Sequence, residues 1–141
     1  MKIMVVDDEQ VALRTMERLL RRKGLGNCVQ CNSGTCALDS LAARSMDVVL
    51  LDLIMPDMNG LAVLEKAKPA SPHTEFIVTT AQDDISLAVK AIQLGAYDYL
   101  VKPLDPDRLL LSIERAYEKA SMRAGLEAVR VEIPRAFSHI L

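Results

Sequence analysis

The sequence predicts an α/β fold, a doubly wound parallel sheet built as (βα)5 with strand order 2-1-3-4-5. Short apolar segments alternate with amphipathic helical patterns along the chain, which favours right-handed βαβ crossovers and a parallel sheet. The apolar run within residues 47–51 shows no polar alternation, as expected for a strand covered on both faces. A length of 141 residues suits one compact domain.

Each predicted strand is followed by a predicted helix. The strands are KIMVV (2–6), NCVQCN (27–32), DVVLL (47–51), EFIVTT (75–80) and YDYLV (97–101). The helices cover about 10–23, a segment opened by Ser33-Gly34, a segment from Asn59-Gly60 that stops before Pro69, a segment from Ile85 to Gly95, and about 106–123.

The last helix opens on Asp105-Pro106, because Asp caps free backbone N–H groups and Pro at the first helical position lacks a donor that would be unpaired anyway. Beyond residue 124 the helical pattern weakens, and Gly125 is expected to interrupt the helix. We therefore predict a domain over residues 1–122 and a helical extension or linker tail over 123–141.

The composition excludes several classes of protein. Half of the residues are apolar and the net charge is -2, with no basic stripe, so this chain is not expected to contact nucleic acid directly. No apolar run approaches the roughly 18 residues of a membrane span. The apolar stretch of the N-terminus meets Asp7 too early for a signal peptide, so a cytoplasmic location is expected.

The three cysteines, Cys28, Cys31 and Cys36, show no framework spacing. Cys28 and Cys31 form a C-x-x-C in a predicted strand, where residues three apart face opposite sides. No second cysteine pair or nearby histidine completes a zinc site. We expect small buried residues rather than a metal or redox site.

Polar residues stand where the predicted strands end: Asp7 and Asp8 after strand 1, Asp52 after strand 3, Thr80 at the end of strand 4, and Lys102 after strand 5. The topology brings these ends to one rim of the sheet. Three close carboxylates cannot all stay ionised unaided. Mg²⁺, which prefers carboxylates and water, would resolve this repulsion, and with Lys102 it would bring the formal charge of the site to zero.

Such a site can host a phosphoryl group, with an exposed carboxylate as nucleophile and Thr80 as a hydrogen-bond donor. Each residue also has a simpler interpretation. The acidic run at 7–9 could favour a helix N-terminus, Asp52 could be a turn residue, Thr80 a cap, and Lys102 a solvated charge. The functional interpretation depends on all of these residues meeting at adjacent strand ends.

Four motifs resemble the CheY-like receiver domain of two-component response regulators over residues 1–122: V-V-D-D-E (5–9), L-D-L-I-M-P-D-M-N-G (51–60), T-A (80–81) and G-A-Y-D-Y-L-V-K-P (95–103). The resemblance implies that Asp52 is the phosphoacceptor and that Asp7, Asp8, Asp52 and the Ile54 carbonyl bind Mg²⁺. It implies further that Thr80 and Lys102 contact the phosphoryl group, that Tyr99 turns inward on activation, and that the Lys102–Pro103 bond is cis.

By the same resemblance, a sensor histidine kinase or phosphotransfer protein donates the phosphoryl group. The signalling surface would be formed by helix 4, strand 5 and helix 5, and the chain would form a homodimer through it. The surface would present Lys90, Asp98, Arg108 and Arg115 around Ile85, Ala88, Leu109 and Ile113. The chain would be no enzyme beyond its own phosphorylation and dephosphorylation. The final segment resembles sigma-54-dependent activators of transcription; a single-domain receiver that docks on a partner is the alternative.

Three other classes of protein fit these residues less well. A flavin binder on the same fold needs a Gly/Ser/Thr phosphate loop where this chain has Asp7-Asp8-Glu9. A phosphatase with an Asp nucleophile needs a second Asp at position 54, which is Ile. A pseudo-receiver is disfavoured by the full acidic set. Because Ile54 offers no polar group to orient an attacking water, we hypothesise a long-lived phosphoryl group.

Overall fold

A computed structural model describes the backbone of residues 1–132 and the side chains of residues 1–123. Five strands alternate with five helices within this part of the chain. The elements are β1 (Ile3–Val6), α1 (Gln10–Arg22), β2 (Val29–Cys31), α2 (Gly34–Ala43), β3 (Val48–Asp52), α3 (Gly60–Ala70), β4 (Glu75–Thr80), α4 (Ile85–Gln93), β5 (Asp98–Val101) and α5 (Pro106–Glu132). No helix of the described residues combines the length and apolar character needed to cross a bilayer.

The strands form one parallel sheet in the order β2-β1-β3-β4-β5, which confirms the predicted topology. Val6 pairs with Leu51, and Asp52 in turn pairs with Thr79 on β4. This register sets the ends of β1, β3 and β4 side by side. The carboxyl ends of the strands therefore share one rim, as predicted.

Both faces of the sheet are covered by apolar side chains. Along β3, Val49 and Leu51 face one core cluster while Val48 and Leu50 face the other, and all four are at most 1% exposed. Full burial of one such side chain contributes roughly 1.5–3 kcal/mol. The continuous apolar run in the sequence thus corresponds to a strand buried on both sides, and its last residue is Asp52.

Two predicted helix ends are wrong. α3 continues through Pro69 to Ala70, because a proline this close to the end of a helix removes only the bond that its own N–H would make, and Ser71 N–H still bonds to the Ala67 carbonyl. α5 continues past Gly125 to Glu132. Glycine costs only about 1 kcal/mol in a helix interior, and its neighbours are good helix formers.

The cysteine prediction is confirmed in part. Cys31 packs in the cluster on one face of the sheet and Cys28 against the cluster on the other, as the strand geometry required. However, Cys31 and Cys36 form a disulfide, with their Cα atoms 5.5 Å apart. The turn after β2 folds the first turn of α2 back onto the strand, a proximity that no spacing rule predicts.

The turn between β3 and α3 has no room for a side chain at Gly60. Its N–H donates to the Leu53 carbonyl at 2.6 Å. A Cβ at this position would lie 2.5 Å from the Asp52 carbonyl oxygen and 2.9 Å from the Leu53 Cα. Both neighbours are backbone atoms of the segment that carries Asp52, so they cannot move aside independently.

Gly60→Ala should therefore lower the free energy of unfolding by roughly 1–3 kcal/mol in urea denaturation, despite the better helix propensity of alanine. Gly26→Ala is the matched control, since its Cβ would meet nothing closer than the Arg21 Cγ at 3.7 Å. Equal effects of the two substitutions would contradict the steric explanation.

Candidate functional site

Three carboxylates meet at the rim of the sheet. Asp7, Asp8 and Asp52 each offer one oxygen atom, and these oxygens lie within 4.8 Å of one another. Asp7 and Asp52 are buried, with 4% and 7% of their surface exposed, whereas Asp8 is exposed. The structure thus brings together the acidic residues that the sequence predicted as a site, with one side open to solvent.

Asp7 is held by three contacts from different parts of the chain. Its N–H donates to the Cys31 carbonyl at 3.0 Å, and its Oδ1 accepts from the Glu9 N–H at 3.0 Å. Its Oδ2 accepts from Lys102 Nζ at 2.8 Å. The simpler interpretation, that Asp7 serves the start of α1, is therefore incomplete, because the other oxygen binds a lysine 95 residues away.

Burial dominates the electrostatics of Asp52 and raises the pKa of its carboxyl to about 6. The charge of Lys102 and a hydrogen bond from the Ile54 N–H lower this pKa, while the charges of Asp7 and Asp8 raise it. The carboxylate of Asp52 therefore carries an unfavourable free energy when it is ionised in the metal-free protein.

Lys102 is the cation that faces this cluster. Its Nζ lies 2.8 Å from Asp7 Oδ2 and 3.8 Å from Asp52 Oδ2, with 28% of its side chain exposed. Burial lowers the pKa of Lys102, but the hydrogen bond to Asp7 and the charge of Asp52 outweigh burial and raise it overall. Lys102 thus stays charged and pairs more closely with Asp7 than with Asp52. The bond from Lys102 to Pro103 is cis, as expected.

Thr80 and Tyr99 are connected through the backbone of one residue. Thr80 is fully buried at the end of β4, and its Oγ1 accepts from the Gln82 N–H at 3.2 Å. The Tyr99 hydroxyl donates to the Gln82 carbonyl at 2.7 Å. The two residues predicted to switch together are therefore joined by the start of the β4–α4 loop, a backbone contact without any sequence signal.

Asp57 is a structural residue of the site that the sequence analysis missed. Its carboxylate accepts from the N–H groups of Gly34 and Thr35 and from the Thr35 hydroxyl, at 2.9–3.1 Å. These bonds, from Thr35 and then Gly34, lower the pKa of Asp57 to about 2. Asp57 thus ties the loop after Asp52 to the N-terminus of α2.

The predicted signalling surface needs one correction. Leu109 and Ile113 are fully buried on the side of α5 that packs against the sheet, so they belong to the core. On α4 the apolar residues Ile85, Val89 and Ile92 are 49–81% exposed, and only Ala91 is buried. The exposed apolar residues of α4 therefore remain part of this surface, whereas Leu109 and Ile113 do not.

The acidic cluster fits a hard divalent cation. Its ligand atoms are carboxylate oxygens, two of them buried and already paired with a single lysine. Asp7, Asp8 and Asp52 are the residues that would hold Mg²⁺, and the Ile54 carbonyl stays a predicted fourth ligand. Ile54 itself follows Asp52 closely and its side chain is 51% exposed.

Asp52→Asn should stabilise the metal-free protein at pH 7, by roughly 1–3 kcal/mol. The folded-state pKa of Asp52, about 6, lies above the ordinary value of 3.8, so ionisation costs stability. The gain should vanish below about pH 4 and reach its full size above about pH 6. Urea denaturation in EDTA between pH 4 and 7.5 measures it, and Asp39→Asn, at an exposed Asp, is the control. A gain independent of pH would contradict this electrostatic origin.

The family model for the response regulator receiver domain matches residues 3–114 of this chain. The transcriptional regulator NtrC of Escherichia coli strain K12 is 41% identical over 114 residues, which are 81% of this chain and 24% of that protein. The regulatory protein AtoC of the same strain is 36% identical over 143 aligned positions, covering 99% of this chain and 31% of AtoC. The chain thus spans about a quarter to a third of the length of these relatives.

Among solved structures, the beryllofluoride-activated NtrC4 receiver domain dimer matches with a TM-score of 0.79 and 32% identity, over 84% of this chain and 98% of that one. The parallel sheet in the order 2-1-3-4-5, the acidic rim and these matches agree. The chain therefore belongs to the family of response regulator receiver domains of two-component systems.

Proposed function

We propose that this receiver is switched by phosphorylation of Asp52, with a sensor histidine kinase or a phosphotransfer protein as donor. The observation that carries the proposal is the cluster of Asp7, Asp8 and Asp52 around Lys102 at one rim of the sheet. The match to the receiver family supports it. On this proposal the chain catalyses only its own phosphorylation and dephosphorylation.

The chemistry assigns a separate task to each residue. A carboxylate oxygen of Asp52 attacks phosphorus, a P–O bond forms, and the P–N bond to the donor imidazole breaks. Lys102 Nζ lies 3.8 Å from Asp52 Oδ2, so it can contact a phosphoryl oxygen on Asp52 after only a small movement away from Asp7. Bound Mg²⁺ would neutralise negative charge on the carboxylates and on the phosphoryl oxygens.

The switch is proposed to run through Thr80 and Tyr99. A phosphoryl oxygen on Asp52 is a strong hydrogen-bond acceptor and would draw the Thr80 hydroxyl away from the Gln82 N–H. The same Gln82 accepts the hydrogen bond of Tyr99, so a shift of this loop changes the position of the tyrosine beside α4. Phosphorylation would thus shift the equilibrium between two arrangements of the α4–β5–α5 surface.

The output is proposed to be control of an attached domain that regulates transcription. NtrC and AtoC are longer regulatory proteins that this chain matches in part, and α5 continues as a helix to Glu132. The exposed residues Ile85, Val89 and Ile92 of α4 favour a homodimer through α4–β5–α5. A sigma-54-dependent activator is the proposed subfamily, and a single-domain receiver acting on a partner protein is the alternative.

An intact-mass spectrum tests the phosphorylation directly. After incubation with acetyl phosphate and Mg²⁺, the wild type should gain one phosphoryl mass, because Asp52 is the nucleophile. Asp52→Ala should gain none, and EDTA should abolish the adduct. Asp39→Ala is a matched control that should still be labelled, since this exposed Asp lies on α2 and is not part of the cluster. An adduct on Asp52→Ala would contradict the assignment.

The lifetime of the phosphoryl group tests the role of Ile54. Because the half-exposed apolar side chain cannot orient water, the adduct should persist for minutes or longer at neutral pH. Ile54→Asn should shorten its half-life roughly tenfold or more, whereas Ile85→Asn on α4, also an exposed isoleucine, should not. A wild-type half-life of seconds would rule the hypothesis out.

Dimerisation through α4 can be measured by light scattering after size-exclusion chromatography. Beryllofluoride with Mg²⁺ should convert the wild type to a dimer, and Val89→Asp should stay monomeric, because it places a charge within the exposed apolar face of α4. Val11→Asp changes an even more exposed valine on α1 and should dimerise normally. Equal loss of the dimer in both variants would argue against the α4 face.

A further inference from the structure

A buried carboxylate lies at the end of the sheet opposite the acidic rim. Glu75 is the first residue of β4, the strand that ends in Thr80, and none of its surface is exposed. A buried glutamate is strongly destabilising unless cations compensate its charge. The proposed phosphorylation chemistry makes no use of Glu75.

Among the side chains that the structure describes, three cations surround this carboxylate. Lys68 Nζ of α3 lies 3.5 Å from Oε2, and Lys119 Nζ and Arg123 Nη1 of α5 lie 3.7 and 3.8 Å from Oε1. Lys119 and Arg123 are one helical turn apart, so they present their charges from the same face of α5. Glu75 is thus the anion that α3 and the distal part of α5 share.

Further contacts fix the same cations. Arg123 Nη1 and Lys68 Nζ both donate to the Pro72 carbonyl, at 2.9 and 3.2 Å, and Lys68 also donates to the Thr74 carbonyl at 2.7 Å. Lys119 Nζ lies 5.6 Å from the centre of the Tyr97 ring, within reach of a cation–π interaction. The distal part of α5 is therefore also attached to the α3–β4 loop and to Tyr97, the residue before β5.

Apolar packing of α5 fades at the same place. Leu109 and Ile113 are large buried side chains, but Ala116 and Ala120 are the buried apolar residues of the next turns, and residues 121–123 are exposed. Alanine buries little surface, so the hydrophobic contribution to the docking of α5 falls along the helix. The ion pairs of Lys119 and Arg123 stand where this contribution is smallest.

We propose that Glu75 is a positioning residue that holds the distal part of α5 against the domain through Lys119 and Arg123, and so sets the direction in which the helix continues to Glu132. Loss of the carboxylate frees residues 115–123 of the helix while the rest of the sheet stays intact. Any effect of this helix direction on an output domain rests on the proposed function. The attachment of the helix to the domain is independent of that function.

Hydrogen–deuterium exchange of the whole chain tests this attachment. In Glu75→Gln, which keeps the shape but removes the charge, amides of residues 115–123 should exchange at least tenfold faster, while those of β1 and β3 change less than twofold. Glu118→Gln removes an exposed carboxylate from the same helix and should leave exchange unchanged. The double variant Lys119→Gln/Arg123→Gln removes the two cations of α5 that pair with Glu75. It should show the same faster exchange of residues 115–123.

Raised salt should slow exchange of residues 115–123 in Glu75→Gln, because it screens the repulsion among Lys68, Lys119 and Arg123 that the carboxylate no longer offsets. The wild type should respond less, because its carboxylate is fully buried and buried pairs are screened much less. Uniform acceleration over all elements, or no change in either variant, would overturn the proposal. Incubation of Glu75→Gln with acetyl phosphate should still label Asp52. Failure of the wild type to be labelled would instead count against the proposed function, and the exchange result would stand.

Discussion

The structure depends on one electrostatic constraint, the convergence of three carboxylates at the rim of a parallel sheet. Asp7 follows the buried strand β1 and Asp52 ends the buried strand β3, so the same packing that stabilises the sheet also removes their carboxylates from water. A single lysine, Lys102, faces both of them. The rim therefore keeps uncompensated negative charge in the metal-free protein, and a divalent cation is the partner that such oxygen ligands favour.

The opposite end of the sheet reverses this arrangement. There the buried carboxylate of Glu75 faces the cations Lys68, Lys119 and Arg123. β4 connects the two ends, since it begins at Glu75 and ends at Thr80, with buried residues throughout. This buried strand thus carries the predicted switch residue Thr80 at one end and the proposed attachment of α5 at the other, which relates the proposed phosphorylation site to the last helix.

The sequence predicted the strands, their order and the residues of the acidic rim, because burial on both faces and residues at strand ends leave local patterns. Contacts made by backbone atoms or by distant side chains leave none. The link of Thr80 to Tyr99 runs through backbone atoms of Gln82 and therefore has no sequence pattern. The Cys31–Cys36 disulfide depends on a turn geometry that the spacing of the two cysteines does not reveal. The helix ends at Pro69 and beyond residue 123 were missed because context overrode local propensity. Leu109 and Ile113 were wrongly assigned to the signalling surface for a related reason, since a helical pattern does not say which apolar face is buried.

Binding of a divalent cation at the rim can be measured by thermal unfolding across a Mg²⁺ series at constant ionic strength. We expect Mg²⁺ to raise the Tm of the wild type progressively, because only the folded chain gathers Asp7, Asp8 and Asp52. The same series should leave Asp7→Asn almost unchanged. An unresponsive wild type, or an equal rise in the variant, would contradict the claim that the rim is a site for a divalent cation.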